Sequence, residues 1–144
     1  MKGTTHALAG GLAGALAGRP VPAFLAGMAM HAALDILPHR DEEDPPLLHL
    51  AADACGALAV LALAVMIGNF GMAAGVIAGV IPDVENLPDV LFKRKSPKVF
   101  PSHWFEHALP SGSPWGALES AVLVAVGVGL VVVLHGTGLR GLLK

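Results

Sequence analysis

Cysteine, tyrosine and charged side chains are scarce in this chain of 144 residues. The single cysteine, Cys55, excludes an intramolecular disulfide and any zinc site that is built from several cysteines. Charged residues make up only 14% of the chain, and the formal net charge of -2 provides no basic face for nucleic acid. We therefore expect no binding of nucleic acid, and any metal site must use histidine and carboxylate side chains.

Hydrophobic residues make up 54% of the sequence, more than an ordinary soluble domain of this size carries. Tyrosine is absent, whereas glycine is abundant, and small residues let helix backbones approach closely in a membrane. Glycines at 10, 14 and 18, and again at 71, 75 and 79, repeat every four residues and predict such packing. The composition therefore predicts an all-α, integral membrane protein.

Apolar runs that are separated by proline and glycine predict one domain, residues 1–144, with about five transmembrane helices and four as the alternative. Two runs are long enough to span a bilayer, namely Leu47 to Ile67 and Trp115 to Leu134. Three shorter runs are Thr5 to Ala17, Val21 to Leu37 and Phe70 to Ile81. The last of these becomes a span only if its helix continues past Pro82. A polar loop on the inner side is expected at about 83–114.

Lysine and arginine near the predicted helix ends set the orientation, because cytoplasmic loops carry an excess of both residues. With five spans, one side receives six of them, namely Lys2, Arg40, Lys93, Arg94, Lys95 and Lys98. The other side receives Arg19, Arg140 and Lys144. The pattern predicts a multi-pass protein of the inner (plasma) membrane with a cytoplasmic N-terminus, and the membrane lipid is its expected partner.

The alternating direction of the predicted helices gathers many histidine and acidic residues on that same inner side. His31 and Asp35 lie four positions apart and share a helix face, as do His103 and His107 if that segment is helical. Ionisable groups at membrane depth are costly and indicate a functional site. Helix capping would explain any single residue, but it does not explain two pairs at ligand spacing. The candidate metal ligands are His6, His31, Asp35, His39, Asp83, His103 and His107.

Imidazole and carboxylate ligands without thiolate suit a divalent metal ion, with zinc as the first expectation and manganese or iron as alternatives. Glu106 and Asp53 are candidates for a general base or for a residue that orients a ligand. His103, Glu106 and His107 also match the His-x-x-Glu-His pattern of inverted zinc peptidases. A zinc peptidase is therefore one alternative function.

Three local patterns resemble a known family. They are Thr5-His6 followed by Gly10, the run from Gly27 to His39, and Gly79-Val80-Ile81-Pro82-Asp83. These patterns resemble the YdjM-like membrane-bound metal-dependent hydrolases, and the scattered motifs cover most of the chain. The resemblance implies a metal-dependent hydrolase whose site contains His6, His31, Asp35, Asp83, His103 and His107.

The chain also departs from that family's pattern in three places. The Pro-Asp-x-Asp-His segment continues here as Glu85-Asn86, and the spacing between His103 and His107 is one residue tighter. The helix that carries His31 and Asp35 comes early in the chain rather than late. These differences fit a divergent or an inactive member, in which glutamate and asparagine replace stronger metal ligands.

The preferred functional prediction is a membrane hydrolase that uses a metal ion at the inner face, on a phosphoester or lipid-linked substrate. The alternative from another class is a small metal or proton-coupled transporter, or a metal-binding membrane protein. The position of the ionisable residues distinguishes the hydrolase from the transporter. Transport requires such residues through the membrane midplane, whereas hydrolysis fits a site at one face.

Overall fold

A computed structural model describes residues 2–37, 45–104, 121, 125–129 and 132. Every regular element in these residues is helical, which confirms the predicted all-α class. The α-helices are α1 Gly3–Ala17, α2 Pro20–Ile36, α3 Leu47–Met66, α4 Phe70–Val80 and α5 Leu87–Phe92. Two 3-10 turns, Ile81–Asn86 and Pro101–Trp104, complete the set.

Two tight turns at one end of the bundle reverse the chain. Gly18 after α1 has a φ of 74° and Gly68 after α3 has a φ of 68°, a left-handed conformation that a side chain disfavours. Pro20 then begins α2, and the Asn69 side chain caps α4 by accepting a hydrogen bond from Met72 N at 2.9 Å. The starts of α1 and α3 and the ends of α2 and α4 therefore lie together at the opposite end.

Helix α1 packs directly against α4 through glycine. A Cβ on Gly10 would collide with the carbonyl oxygen of Gly75, and a Cβ on Gly75 would collide with that of Gly10. Helix α2 joins at the same level, because a Cβ on Gly27 would lie 2.5 Å from the Gly75 oxygen. This backbone contact confirms the packing role that the four-residue glycine spacing predicts.

The helical path continues past Pro82, the condition on which the fourth predicted span depended. Helix α4 leads directly into the 3-10 turn Ile81–Asn86 and then into α5. Pro82 has no N–H for an α-helical hydrogen bond, which accounts for the change to the tighter turn. Residues 83–92 of the predicted polar loop are consequently helical, while residues 93–100 have no regular structure.

Among the described residues, two helices are long and apolar enough to cross a membrane, Leu47–Met66 with a mean hydropathy of 2.0 and Phe70–Phe92 with 1.2. Pro20–Ile36 is a shorter apolar helix. Only 6% of the apolar window of Leu47–Met66 is buried, and its Leu48 and Met66 are 77% and 79% exposed. Such an apolar surface is unusual for a monomer in water.

The fifth α-helix of the described residues is the short α5, not the predicted span Trp115 to Leu134. Within that predicted span the structure describes residues 121, 125–129 and 132, which are helical. Gly129 lies beside Leu12 of α1, since a Cβ on Gly129 would lie 3.1 Å from a Leu12 methyl carbon. The number of transmembrane helices therefore remains a prediction.

Candidate metal centre

His31 and Asp35 occupy one face of the last turns of α2, and both are almost completely buried, at 1% and 5% exposure. The Nδ1 atom of His31 lies 2.7 Å from the carbonyl oxygen of Gly79. A carbonyl oxygen only accepts, so Nδ1 carries a proton, and in the neutral ring Nε2 presents a lone pair. That Nε2 lies 2.9 Å from Asp35 Oδ2.

Gly79 positions a second histidine as well, because its missing side chain leaves room for the backbone of His6 on α1. The His6 ring stacks on that of His31 with 4.1 Å between centroids and an interplanar angle of 31°. Its Nε2 lies 3.3 Å from Asp35 Oδ1 and 4.0 Å from Asp83 Oδ2. Helices α1 and α2 thus direct two imidazoles and one carboxylate toward the same point.

Asp83 and His103 complete the cluster from two elements other than α1 and α2. Asp83 lies in the 3-10 turn that follows α4, and its Oδ1 is 3.6 Å from His103 Nε2. His103 comes from the turn Pro101–Trp104, and its Nε2 is 3.3 Å from Nε2 of His31 and 3.3 Å from Asp35 Oδ2. Four separate elements therefore contribute to one site.

His103 is delivered by residues 93–104, which we call the strap. Nδ1 of His103 lies 2.7 Å from Glu85 Oε1, so the ring donates Nδ1–H to that carboxylate. The strap is also held by Lys98, whose ammonium donates to Asn86 Oδ1 at 2.6 Å and to Asp89 Oδ2 at 2.7 Å. The position of His103 therefore depends on contacts between the strap and the end of the α4 path.

The separations between these donor atoms are compatible with a shared metal ion. Two ligands at zinc-ligand distance lie about 3.0 to 3.4 Å apart in octahedral or tetrahedral geometry. The measured nitrogen and oxygen separations around His31, Asp35 and His103 are 2.9, 3.3 and 3.3 Å. Two groups of three, His6 with His31 and Asp83, and His31 with Asp35 and His103, have ligand atoms within 4.8 Å of one another.

The cluster contains two carboxylates, those of Asp35 and Asp83, and its other candidate ligands are imidazoles that are neutral unless they are protonated. Asp35 Oδ2 and Asp83 Oδ2 are buried and accept no hydrogen bond of good geometry, and the nearest groups to Asp35 Oδ2 are the Nε2 atoms of His31 and His103 at 2.9 and 3.3 Å. Buried carboxylates are costly beside neutral imidazoles that present lone pairs, so the arrangement favours a proton or a cation between them. The Asp35 carboxylate, 3.3 Å away, raises the pKa of His103 above its ordinary value, which is the response of a site that attracts cations.

The remaining predicted site residues lie elsewhere or outside the described residues. Asp53 accepts hydrogen bonds from the backbone N–H groups of Gly3 and Thr4, at 2.7 and 2.9 Å, and so caps the start of α1. The structure does not bring it to the cluster. His39, Glu106 and His107 lie outside the described part of the chain, so their predicted roles stay predictions.

Glu85 is a site residue that the sequence predictions do not include as a ligand or catalytic group. Its one signal is its place two residues after Asp83, where the resembled family has aspartate. The backbone carbonyl of Gly79 was also unforeseen, because it carries no side-chain signature. Both groups act on the ring nitrogens that face away from the cluster.

Comparison of the chain with protein-family models, with curated proteins and with solved structures gives no match. The resemblance to the YdjM-like hydrolases therefore remains a prediction from local motifs. The functional argument depends on the geometry of the cluster.

Proposed function

We propose that this chain is an integral membrane hydrolase that depends on a divalent metal ion and acts on a phosphoester or lipid-linked substrate at the inner membrane face. The ion would be held by His6, His31, Asp35, Asp83 and His103. One observation carries the proposal. The Nε2 atoms of His31 and His103 lie 3.3 Å apart beside the Asp35 carboxylate while both Nδ1 atoms are committed to acceptors, an arrangement that a bound cation would stabilise.

The donor set favours one ion rather than two. Both groups of three contain His31, and Gly79 occupies its Nδ1, so each group must use the same Nε2 atom. Imidazole nitrogen with carboxylate oxygen suits zinc first, and manganese or iron as alternatives. A divalent ion bound there supplies the Lewis acidity that activates water and polarises a phosphoryl oxygen.

Asp83 marks the side from which water and substrate would approach. Its side chain is 26% exposed, compared with 7% for Asp35 and 10% for His103. The deeper residues on α1 and α2 are closed off by helix packing. The partly exposed Asp83 is therefore placed to exchange a proton with solvent and to contact a substrate that lies at the bundle end.

Two features support a membrane location for this site. The candidate spans Leu47–Met66 and Phe70–Phe92 present apolar surface, and the cluster lies at one end of the bundle rather than halfway along it. The strap beside the site carries exposed Arg94 and Lys95, in keeping with a cytoplasmic face and with anionic head groups or substrates. Lys98 differs, because its ammonium is bound to Asn86 and Asp89.

The position of the cluster favours a hydrolase over the transporter alternative. Among the described residues, the buried ionisable side chains are His6, His31 and Asp35, and all three lie at the same bundle end. A transport pathway would need such groups through the midplane. The peptidase alternative depends on Glu106 and His107, which lie outside the described residues, and so gains no support.

Metal content and hydrolysis test the proposal directly. Protein purified in detergent should carry about one zinc, manganese or iron ion per chain by mass spectrometry of the metals. It should hydrolyse a chromogenic phosphodiester, lose that activity to a chelator and regain it with Zn²⁺. Full activity in metal-free protein would refute the metal-dependent mechanism, and an occupied site without hydrolysis would favour the metal-binding alternative.

Cysteine labelling tests the membrane arrangement. In a Cys55→Ala background, single cysteines replace Lys2, Lys95 or Arg19. Lys2 and Lys95 should label from the cytoplasmic side of membrane vesicles, and Arg19, at the opposite bundle end, should label from the other side. Labelling of Lys2 and Lys95 from opposite sides would contradict the proposed topology.

A further inference from the structure

Glu85 contacts the cluster of candidate ligands through the nitrogen of the His103 ring that faces away from the cluster. Its carboxylate accepts hydrogen bonds from His103 Nδ1 and from the backbone N–H of Val99, each at 2.7 Å. The backbone N–H of Phe100 adds a longer contact to the same carboxylate at 3.3 Å. These three donors all belong to the strap, and none belongs to the helices that supply the other ligands.

The direction of the first hydrogen bond decides which nitrogen of His103 is available for a metal ion. An ionised carboxylate only accepts, so it holds the proton on Nδ1 and leaves a lone pair on Nε2. Nε2 is the atom that lies 3.3 Å from His31 Nε2 and 3.6 Å from Asp83 Oδ1. Carboxylate partners of this kind fix the tautomer and ring orientation of metal-bound histidines.

We propose that Glu85 is a positioning residue that orients His103 for metal binding and fixes the strap at the same point. This inference rests on the proposed metal site. The 3-10 turn that contains both acids explains the arrangement, since it presents Asp83 to the front of the His103 ring and Glu85 to its back. One short segment thus supplies both a ligand and the support of a neighbouring ligand.

Glu85 is unlike the other acid that holds the strap. Asp89 binds Lys98 and accepts a hydrogen bond from Ser96 N at 2.8 Å, so in the described part of the chain its partners belong to the strap and not to the cluster. Both carboxylates therefore anchor the strap, but only Glu85 also bonds to the ring of a candidate ligand. Asp89 is consequently the matched control for a role in anchoring alone.

The first test compares Glu85→Gln with Asp89→Asn in full-length protein in detergent. Glutamine keeps the size of the side chain but loses the charge and leaves one acceptor oxygen for the ring and the backbone. Glu85→Gln should weaken Co²⁺ binding about tenfold or more, measured by competition with a chromophoric chelator, and should alter the visible spectrum of bound Co²⁺. Asp89→Asn, which loosens the strap without removing a contact to the ring, should cause a clearly smaller loss of affinity and keep the wild-type spectrum. Equal losses in both variants would overturn the proposal, because they would indicate anchoring alone.

A double-mutant cycle separates orientation of His103 from a general effect on folding. If Glu85 acts on the metal through His103, Glu85→Gln should cause no further loss of Co²⁺ affinity in a His103→Ala background. A loss that is as large as in the wild-type background would overturn the proposal.

The inference can fail separately from the proposed function. At a pH at which His103 is neutral, nitrogen NMR of the metal-free protein reports which of its ring nitrogens carries the proton. Wild type should show the Nδ1–H tautomer and Glu85→Gln should lose it, whether or not metal binds. If wild type binds neither Co²⁺ nor Zn²⁺, the proposed function fails and this measurement alone decides the role of Glu85. An Nε2–H tautomer in wild type, or an unchanged spectrum in Glu85→Gln, would overturn that role.

Discussion

His31 and His103 are 72 positions apart in the chain, and yet their Nε2 atoms lie 3.3 Å from each other. The opposite nitrogen of His31 donates to the Gly79 carbonyl, and that of His103 donates to the Glu85 carboxylate. Two neutral rings held in this way present lone pairs to each other, beside the Asp35 carboxylate. A proton or a metal ion is needed to stabilise the arrangement.

Replacement of Asp35 or Asp83 by asparagine should abolish metal binding and leave the bundle folded. Asparagine keeps the size and hydrogen-bonding ability of aspartate, but it lacks the negative charge that a divalent ion requires. Metal content by mass spectrometry and helicity by circular dichroism measure the two effects. His49→Ala is the control, because His49 is exposed on α3 and does not belong to the cluster. Retention of metal in both aspartate variants would show that the ligand assignments are wrong and would favour a purely structural role for these residues.

Much of the cluster could be predicted from the sequence, for a definite physical reason. The spacing of His31 and Asp35 puts them on one helix face, and alternating helix directions bring His6 and Asp83 to the same end. The contact between Glu85 and His103 could not be predicted, because residues 93–100 follow an irregular path that no periodic pattern specifies.

The position of Asp53 shows a competing role that the sequence interpretation left out. The first N–H groups of a helix have no partner within that helix, so a nearby carboxylate is attracted to them. Asp53 meets this need for α1 because α3 lies beside α1 and runs parallel to it. That pairing depends on helix packing, which spacing along the chain does not reveal.

Asp53→Ala should lower the stability of the bundle without removing the metal ion. Its carboxylate accepts from Gly3 N, Thr4 N and the Thr4 hydroxyl, and loss of a cap costs about 0.5 to 2 kcal/mol. Thermal unfolding in detergent measures the loss, and metal content is determined in parallel. Unchanged stability with lost hydrolysis would instead support the prediction that Asp53 is a general base.

Gly75→Ala should destabilise the protein strongly, because its Cβ would collide with the Gly10 carbonyl oxygen and approach the Gly14 Cα at 2.8 Å. Backbone atoms cannot move aside as a flexible side chain can. The free energy of unfolding should therefore fall by at least the amount typical of an overpacked core, about 1 to 3 kcal/mol. Gly127→Ala is the control, since a Cβ there has open space. Equal unfolding temperatures for the two variants would contradict the close packing of α1 and α4.

The pH dependence of stability should have opposite signs in the metal-free and metal-bound protein. In the metal-free protein, the Asp35 carboxylate raises the pKa of His103 above 6.5, so protonated His103 stabilises the fold. This contribution is complete below pH 6.5 and is lost as the pH rises through the raised pKa.

A metal ion must displace that same proton, so Co²⁺ affinity should rise over the pH window in which the metal-free protein loses stability. Unfolding temperature and chelator competition, both measured from pH 6 to about pH 9, would follow the two effects. The same measurements on His103→Ala isolate the contribution of this residue. The contributions of the other histidines cancel in the difference between the variant and wild type. If metal-free wild type became more stable relative to metal-free His103→Ala as the pH rises, the pairing of His103 with Asp35 would be contradicted.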